Sequence, residues 1–174
     1  MMKKTPNWFP TYRANSIFEI PLSFYAEHGI KVVLSDLDNT LDDYRVQTPS
    51  PRTRELIENL KKAGIEFYIA SNNTSKRVSV YAESLGIKVF SGLMKPFSGP
   101  LKKLIQKEGF KKEEVVLIGD QVLTDVKAGN GAGIMTILTE PISKGDIIWT
   151  RFNRVFEKRK RRKILSETYN LIGR

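Results

Sequence analysis

The chain has 174 residues, of which 40% are hydrophobic and 28% are charged, as in a soluble globular protein with one core. It contains no cysteine, which excludes disulfides, thiolate zinc sites and a cysteine nucleophile. Its first residues, MMKKTPNWFP, are followed by no long apolar segment and no small-residue cleavage site, so the expected location is the cytoplasm.

The formal net charge of +10 is concentrated near the C-terminus. Residues 151–164 carry eight Lys or Arg and one Glu, which gives +7 and leaves +3 for the rest of the chain. Such a run is typical of a solvated charged surface, a contact with an anionic membrane surface, or a contact with nucleic acid. A solvated surface is the first expectation for this run, and if the run binds a partner, we expect an anionic membrane surface rather than nucleic acid.

Residues before 30 have a helix-like apolar spacing that is interrupted at Pro21, and we expect them to pack on an edge of the core. After them, short β-branched segments alternate with longer amphipathic ones. The short segments are predicted strands, and they span residues 31–36, 65–71, 87–90, 114–120 and 133–139. The amphipathic segments are predicted helices, and they span residues 50–64, 74–86, 98–109 and about 122–129.

Strands and helices that alternate at this spacing predict right-handed crossovers and a parallel sheet. The expected fold is a Rossmann-like, three-layer α/β/α arrangement with five parallel strands. We divide the chain into an N-terminal segment, residues 1–30, a core, residues 31–140, and a C-terminal extension, residues 141–174. The extension contains the basic run and is predicted to form a helix.

Polar side chains follow several predicted strands. In an open parallel sheet the carboxyl ends of the strands meet at one edge, where ligands bind. The groups expected there are carboxylates, hydroxyls, amides and one cation: Asp36, Asp38, Ser71, Asn72, Asn73, Lys95, Asp120 and Asp125. Hard oxygen ligands without His or Cys suit Mg²⁺, and a lysine would balance the charge of a phosphoryl group. The set is typical of phosphoryl transfer.

These residues resemble four motifs of the haloacid dehalogenase superfamily of phosphatases. DLDNTL (36–41) is similar to the first motif, Ser71 in IASNNT to the second, Lys95 in GLMKPF to the third, and GDQVLTD (119–125) to the fourth. Together they cover residues 31–139. The chain is most similar to the YqeG-like branch of subfamily IIIA, which is related to phosphatidylglycerophosphate phosphatase, because the upstream FPTYRANSIFEIP is also similar.

The resemblance implies a phosphoric monoester hydrolase with an aspartyl-phosphate intermediate. Asp36 would be the nucleophile, and Asp38 would be the general acid and then the base. Thr40 would orient the loop.

The resemblance also assigns the remaining residues. Ser71 and Asn72 would hold the phosphoryl oxygens. Lys95 would neutralise the nucleophile and the phosphate. Mg²⁺ would bind to the Asp36 carboxylate, the Asp38 carbonyl and Asp120, with Asp125 as a supporting acid.

The intervals between the motifs are too short for a cap domain, which predicts an open site that suits a large or surface-presented substrate, or a site that a second subunit covers. Phosphatidylglycerophosphate is the first expected substrate, by the resemblance alone. The alternatives are small sugar or nucleotide phosphates, or a non-enzymatic protein that binds RNA or membranes through the basic run. Asp42 and Asp43, which no motif explains, are predicted to lie in a solvated turn.

Overall fold

The computed structural model describes residues 6–143, 151–166 and 170–173. Its sheet has six strands, all parallel: β1 (Tyr12–Ala14), β2 (Val32–Ser35), β3 (Glu66–Ala70), β4 (Val89–Phe90), β5 (Val115–Gly119) and β6 (Met135–Thr139). Their order across the sheet is β1-β6-β5-β2-β3-β4. The predicted α/β class and parallel sheet are therefore confirmed.

The predicted number of five strands is wrong, because residues 12–14 form an edge strand. This strand pairs with β6, Tyr12 opposite Ile137. On its other side, Arg13 N–H donates to the Asn170 carbonyl at 2.8 Å and Ile172 N–H donates to the Arg13 carbonyl at 2.8 Å. A three-residue strand with distant partners leaves no periodic signal in the sequence.

The described residues form six α-helices around the sheet: α1 (Leu22–Glu27), α2 (Pro51–Lys62), α3 (Lys76–Ser84), α4 (Ser98–Lys107), α5 (Lys127–Ala132) and α6 (Arg151–Ser166). Ser50 caps α2, since its Oγ accepts a hydrogen bond from Thr53 N–H, and Pro51 fits the first turn. Glycines follow α2, α3 and α4 with the positive φ that a left-handed turn requires, at Gly64, Gly86 and Gly109.

The core has one layer on each face of the sheet. Val33 and Ile69 point to a cluster that includes residues from α1, α2 and α3, such as Leu60. The adjacent Leu34 points to the opposite cluster, which includes Leu101 of α4 and other residues from α4 and α5. This alternation along buried strands produces the three-layer arrangement.

The helix α6 packs on the turn Val122–Val126 and on the end of β6. Ile164 is buried against Phe9, Val122, Val126 and Leu138. Among the described residues, no helix is both long and apolar enough to cross a bilayer.

Candidate active site

The loop after β2 carries the first group of acids. Asp36 extends the hydrogen bonding between β2 and β5 by one residue, because its N–H donates to the Ile118 carbonyl at 2.9 Å. The chain then turns at Asn39, whose φ is 63°, and Asn39 N–H donates to the Asp42 carbonyl at 2.8 Å. The Thr40 hydroxyl donates to Asp120 Oδ1 at 3.2 Å, which ties this loop to the end of β5.

Lys95 is the central cation of the site. Its ammonium group lies 2.9 Å from Asp36 Oδ1, 2.6 Å from Asp125 Oδ1 and 2.7 Å from the Ala70 carbonyl oxygen. The Lys95 side chain is only 2% exposed. Asn72 fixes its backbone, because the Asn72 amide donates to the Lys95 carbonyl at 2.8 Å and accepts from Lys95 N–H at 2.7 Å.

The turn after β5 carries the second group of acids. Asp120 follows β5 directly, and residues Val122–Val126 form one wide π-helical turn before α5. This replaces the regular helix predicted from residue 122, and such turns are frequent at functional sites. Asp125 folds back so closely that a Cβ on Gly119 would lie 2.3 Å from its carboxylate. Only glycine fits there.

These elements enclose an open cavity of about 300 Å³ at the carboxyl end of the sheet. Its lining contains residues that were expected at this edge, namely Asp36, Asp38, Ser71, Asn72, Asn73 and Lys95, together with Gln121 and Thr124, which were not predicted. The Ser71 hydroxyl accepts a hydrogen bond from Asn73 N–H at 3.0 Å, which orients it within the turn.

The sequence model of a haloacid dehalogenase-like hydrolase family matches residues 6–133. The chain belongs to this family. It is 38% identical over 159 residues to the probable phosphatase YqeG of Bacillus subtilis (strain 168), with 91% of each chain covered. It is 31% identical over 128 residues to phosphatidylglycerophosphate phosphatase 1, chloroplastic/mitochondrial, of Arabidopsis thaliana, which covers 68% of this chain and 36% of that protein.

Solved structures share the same fold. A 3-deoxy-D-manno-octulosonate 8-phosphate phosphatase from Moraxella catarrhalis aligns with a TM-score of 0.51 at 21% identity, over 68% of this chain and 82% of that one. The predicted resemblance to haloacid dehalogenase phosphatases is confirmed, and so is the class of the enzyme, a phosphoric monoester hydrolase. Between Ser71 and Lys95 the chain has only α3 and β4.

Burial and mutual repulsion perturb the acids of this hydrolase site. Burial is the main influence that raises the pKa of Asp36 to about 7; Lys95 opposes it, and Asp125 adds to it. Burial and the charges of Asp125 and Asp36 hold the pKa of Asp120 well above its usual value. For Lys95, burial acts to lower the pKa, but the two carboxylates outweigh it and keep the ammonium charged.

The donor set fits a divalent cation. Oxygens of Asp36, Asp120 and Asp125 lie within 4.8 Å of one another, and all three residues are buried. Among the described residues, no hydrogen-bond donor reaches Oδ2 of Asp36 or Oδ2 of Asp120, which leaves these atoms for another partner. Carboxylate oxygens suit a hard cation such as Mg²⁺. Asp125 already binds Lys95 and Gln121 N–H, which agrees with a supporting position.

The prediction for Asp42 is wrong. Asp42 is 4% exposed, and its Oδ2 accepts hydrogen bonds from the Tyr81 hydroxyl, from Thr53 Oγ1 at 3.0 Å and from Ser50 N–H at 3.0 Å. It therefore joins the first motif to α2 and α3. Asp43, in contrast, is part of a surface turn, where its carboxylate binds the Arg45 guanidinium and backbone N–H.

Three charged residues beside the site were not predicted. Arg77 of α3 forms an ion pair with Asp38 and donates to the Val46 carbonyl at 3.2 Å. Glu157 and Arg161 of α6 bind the backbone of the turn that carries Asp120 and Asp125. The one signal in the sequence was Glu157, a lone acid in the basic run.

Proposed function

We propose that the protein is a Mg²⁺-dependent phosphomonoesterase that acts through an aspartyl-phosphate at Asp36. The observation that carries this proposal is the contact of the Lys95 ammonium with both Asp36 and Asp125 at the wall of the cavity. A buried lysine at this point neutralises the nucleophile and would bind the incoming phosphoryl group. The confirmed family supports the same reaction class.

The chemistry has two steps. A carboxylate oxygen of Asp36 attacks phosphorus in line, and the bond from phosphorus to the leaving oxygen breaks while Asp38 gives that oxygen a proton. In the second step a water molecule, which gives a proton to Asp38, attacks the same phosphorus and releases inorganic phosphate and the Asp36 carboxylate. Lys95 and Ser71 bind the phosphoryl oxygens in both steps.

Mg²⁺ would be held by the Asp36 carboxylate, the Asp38 carbonyl and the Asp120 carboxylate. When bound, it neutralises phosphoryl charge and orients the oxygens of the phosphate. Arg77 holds the Asp38 carboxylate, and Thr40 holds Asp120 Oδ1, so the protein positions both groups through its own hydrogen bonds.

Phosphatidylglycerophosphate is the substrate that we propose. The Arabidopsis relative that bears the name of this activity supports it, and so does the surface beside the cavity. Met94 and Phe97, on either side of Lys95, are 61% and 69% exposed, which would suit the apolar boundary of a bilayer. Small sugar or nucleotide phosphates are the alternative.

The exposed face of α6 supports an anionic membrane as the partner of the basic run. Val155 and Phe156 are 66% and 57% exposed, and Lys158, Arg159 and Arg162 are exposed on the same helix. Aromatic and cationic side chains together are typical of surfaces that bind anionic lipid. Sedimentation with anionic vesicles, with neutral vesicles and with RNA would test this. Binding to neutral vesicles alone, or to RNA alone, would contradict it.

Phosphate release tests the proposed activity. The panel contains phosphatidylglycerophosphate in detergent micelles, sugar phosphates and nucleoside monophosphates, each with Mg²⁺ and with EDTA. Asp36→Asn is expected to abolish release, whereas the matched variant Asp43→Asn, which changes an acid of the surface turn, is expected to retain it. Release that survives Asp36→Asn would contradict the nucleophile, and release in EDTA would contradict the metal.

A further inference from the structure

One face of α6 contacts the turn that carries the acids of the fourth motif. Glu157, Arg161 and Ile164 follow one another at spacings of four and three residues, so they share a single stripe of the helix. Ile164 is 1% exposed and packs on Val122 and Val126. The basic helix is therefore anchored at the active site by three residues of its inner side.

Glu157 binds the beginning of the wide turn. Its carboxylate accepts hydrogen bonds from Val122 N–H at 2.6 Å and from Leu123 N–H at 3.0 Å. These are the first N–H groups of the turn, which lack partners within it, so the carboxylate acts as a cap supplied by a distant helix. The direction of the backbone at this point determines where Asp125 returns to the site.

Arg161 binds the ends of two neighbouring strands. Its guanidinium donates to the Asp120 carbonyl oxygen and, at 3.3 Å, to the Thr139 carbonyl oxygen. It also forms a salt bridge of 3.0 Å with Glu140. Asp120 and Thr139 lie at the carboxyl ends of β5 and β6, so one planar group holds the Asp120 backbone against its neighbour.

We infer that Glu157 and Arg161 are positioning residues for metal binding, which hold the backbone of Asp120 and the turn of Asp125 in the geometry that Mg²⁺ requires. This inference rests on the Mg²⁺ site of the proposed function. Groups that orient metal ligands typically change metal affinity by about 10–100-fold when they are removed. The basic run thus has an inner side that serves the site and an outer side that remains exposed.

Two substitutions of Arg161 separate positioning from a simple effect of charge. Arg161→Met removes both the charge and the hydrogen bonds, while Arg161→Lys keeps the charge and loses the planar fork. If the guanidinium acted only through its charge, Arg161→Met would bind Mg²⁺ more tightly, because a repelling cation is gone, and Arg161→Lys would bind as the wild type does. Positioning predicts weaker binding in both.

The test is isothermal titration calorimetry of the full-length, metal-free protein with Mg²⁺, well below the melting temperature. We expect the Kd to increase about tenfold for Arg161→Lys, Arg161→Met and Glu157→Gln. The matched control is Arg159→Met, an exposed residue of the same helix, which is expected to keep the wild-type Kd. Circular dichroism verifies that each variant is folded. If both Arg161 variants fail to fold, the Kd of Glu157→Gln alone decides the test.

A second readout is phosphate release as a function of Mg²⁺ concentration. The KM for Mg²⁺ is expected to increase in parallel with the Kd, and saturating Mg²⁺ is expected to recover most of kcat. Wild-type Kd values in folded Arg161→Lys and Glu157→Gln would overturn the inference, even if their melting temperatures fall. Asp120→Asn, which lacks a proposed metal ligand, is titrated beside the wild type. If the wild type binds Mg²⁺ no better than this variant does, the metal site of the proposed function is overturned instead.

Discussion

Replacement of Lys95 by methionine removes the central cation of the site and keeps a side chain of similar length. The Lys95 and Asp125 side chains are 2% and 3% exposed, and the ammonium also binds Asp36. Removing one partner of a buried ion pair destabilises a protein by about 3–5 kcal/mol, because the remaining charge has no compensation. We expect this loss in the free energy of unfolding at pH 8 in EDTA, or a decrease in Tm of about 6–20 °C for a chain of this size.

The size of the loss depends on pH, since protonation removes the uncompensated charge. The pKa of Asp36 is already raised to about 7 by burial, and Lys95 is the main influence that lowers it. Without Lys95 this pKa rises further. Where a carboxyl is protonated in the folded state and ionised in the unfolded state, the free energy of unfolding falls by about 1.4 kcal/mol for each unit by which the pH rises. The variant should therefore approach the wild type as the pH falls.

Urea unfolding followed by circular dichroism at two pH values, one near 8 and one near 5.5, measures both effects. Lys88→Met is the matched control, because Lys88 forms a surface pair with Glu108 and its side chain is 54% exposed. A surface pair contributes about 0–1 kcal/mol, so little change is expected at either pH. A Lys95→Met protein as stable as the wild type at the higher pH, or an equal loss at both pH values, would refute the reasoning.

Three further substitutions test other contacts. Gly119→Ala places a Cβ 2.3 Å from the Asp125 carboxylate, so we expect weaker Mg²⁺ binding in calorimetry and a loss of about 1–3 kcal/mol in urea; wild-type binding would contradict the contact. Tyr81→Phe removes a donor to buried Asp42 and should lower the unfolding free energy by about 1–3 kcal/mol. Asp36 has a folded pKa of about 7 against an ordinary 3.8, so this carboxyl alone should cost the metal-free wild type about 1.4 kcal/mol per pH unit as the pH rises between these values. Asp36→Asn should show a shallower decline, because Asp120, whose pKa is also raised, still contributes, and equal slopes would argue against the raised pKa of Asp36.

Part of the arrangement of the candidate site could be predicted from the sequence. A polar residue at the carboxyl end of a buried strand has its position set by the strand, so Asp36 and Asp120 had to meet where β2 and β5 pair. Lys95 lies in a loop after a short strand, so the strand pattern predicted that it lies at this edge, whereas its role beside Asp36 came from the resemblance of the motifs. Local pattern and family resemblance therefore contributed different parts of the prediction.

Contacts between distant parts of the chain were not predictable in this way. Asp42 looked like a turn residue because Asp is common in turns, but its partner Tyr81 is 39 residues away on α3. Arg161 is 41 residues from the Asp120 carbonyl that it binds. In the sequence it is one of many basic residues of α6, and the contacts of Glu157, Arg161 and Ile164 with the folded core show which face of the helix turns inward.

The charges of the side chains at the site favour the binding of a cation. The four acids of the first and fourth motifs are opposed by the Lys95 ammonium and the Arg77 guanidinium, which leaves two negative charges. This imbalance contributes to the raised pKa values of Asp36 and Asp120, because burial and repulsion that are not compensated favour the protonated form of a carboxyl group. A divalent cation bound to the same two carboxylates would balance the two charges and would compete with those protons. We therefore expect metal binding to be coupled to deprotonation of the proposed nucleophile, so that the Asp36 carboxylate becomes available when a cation binds.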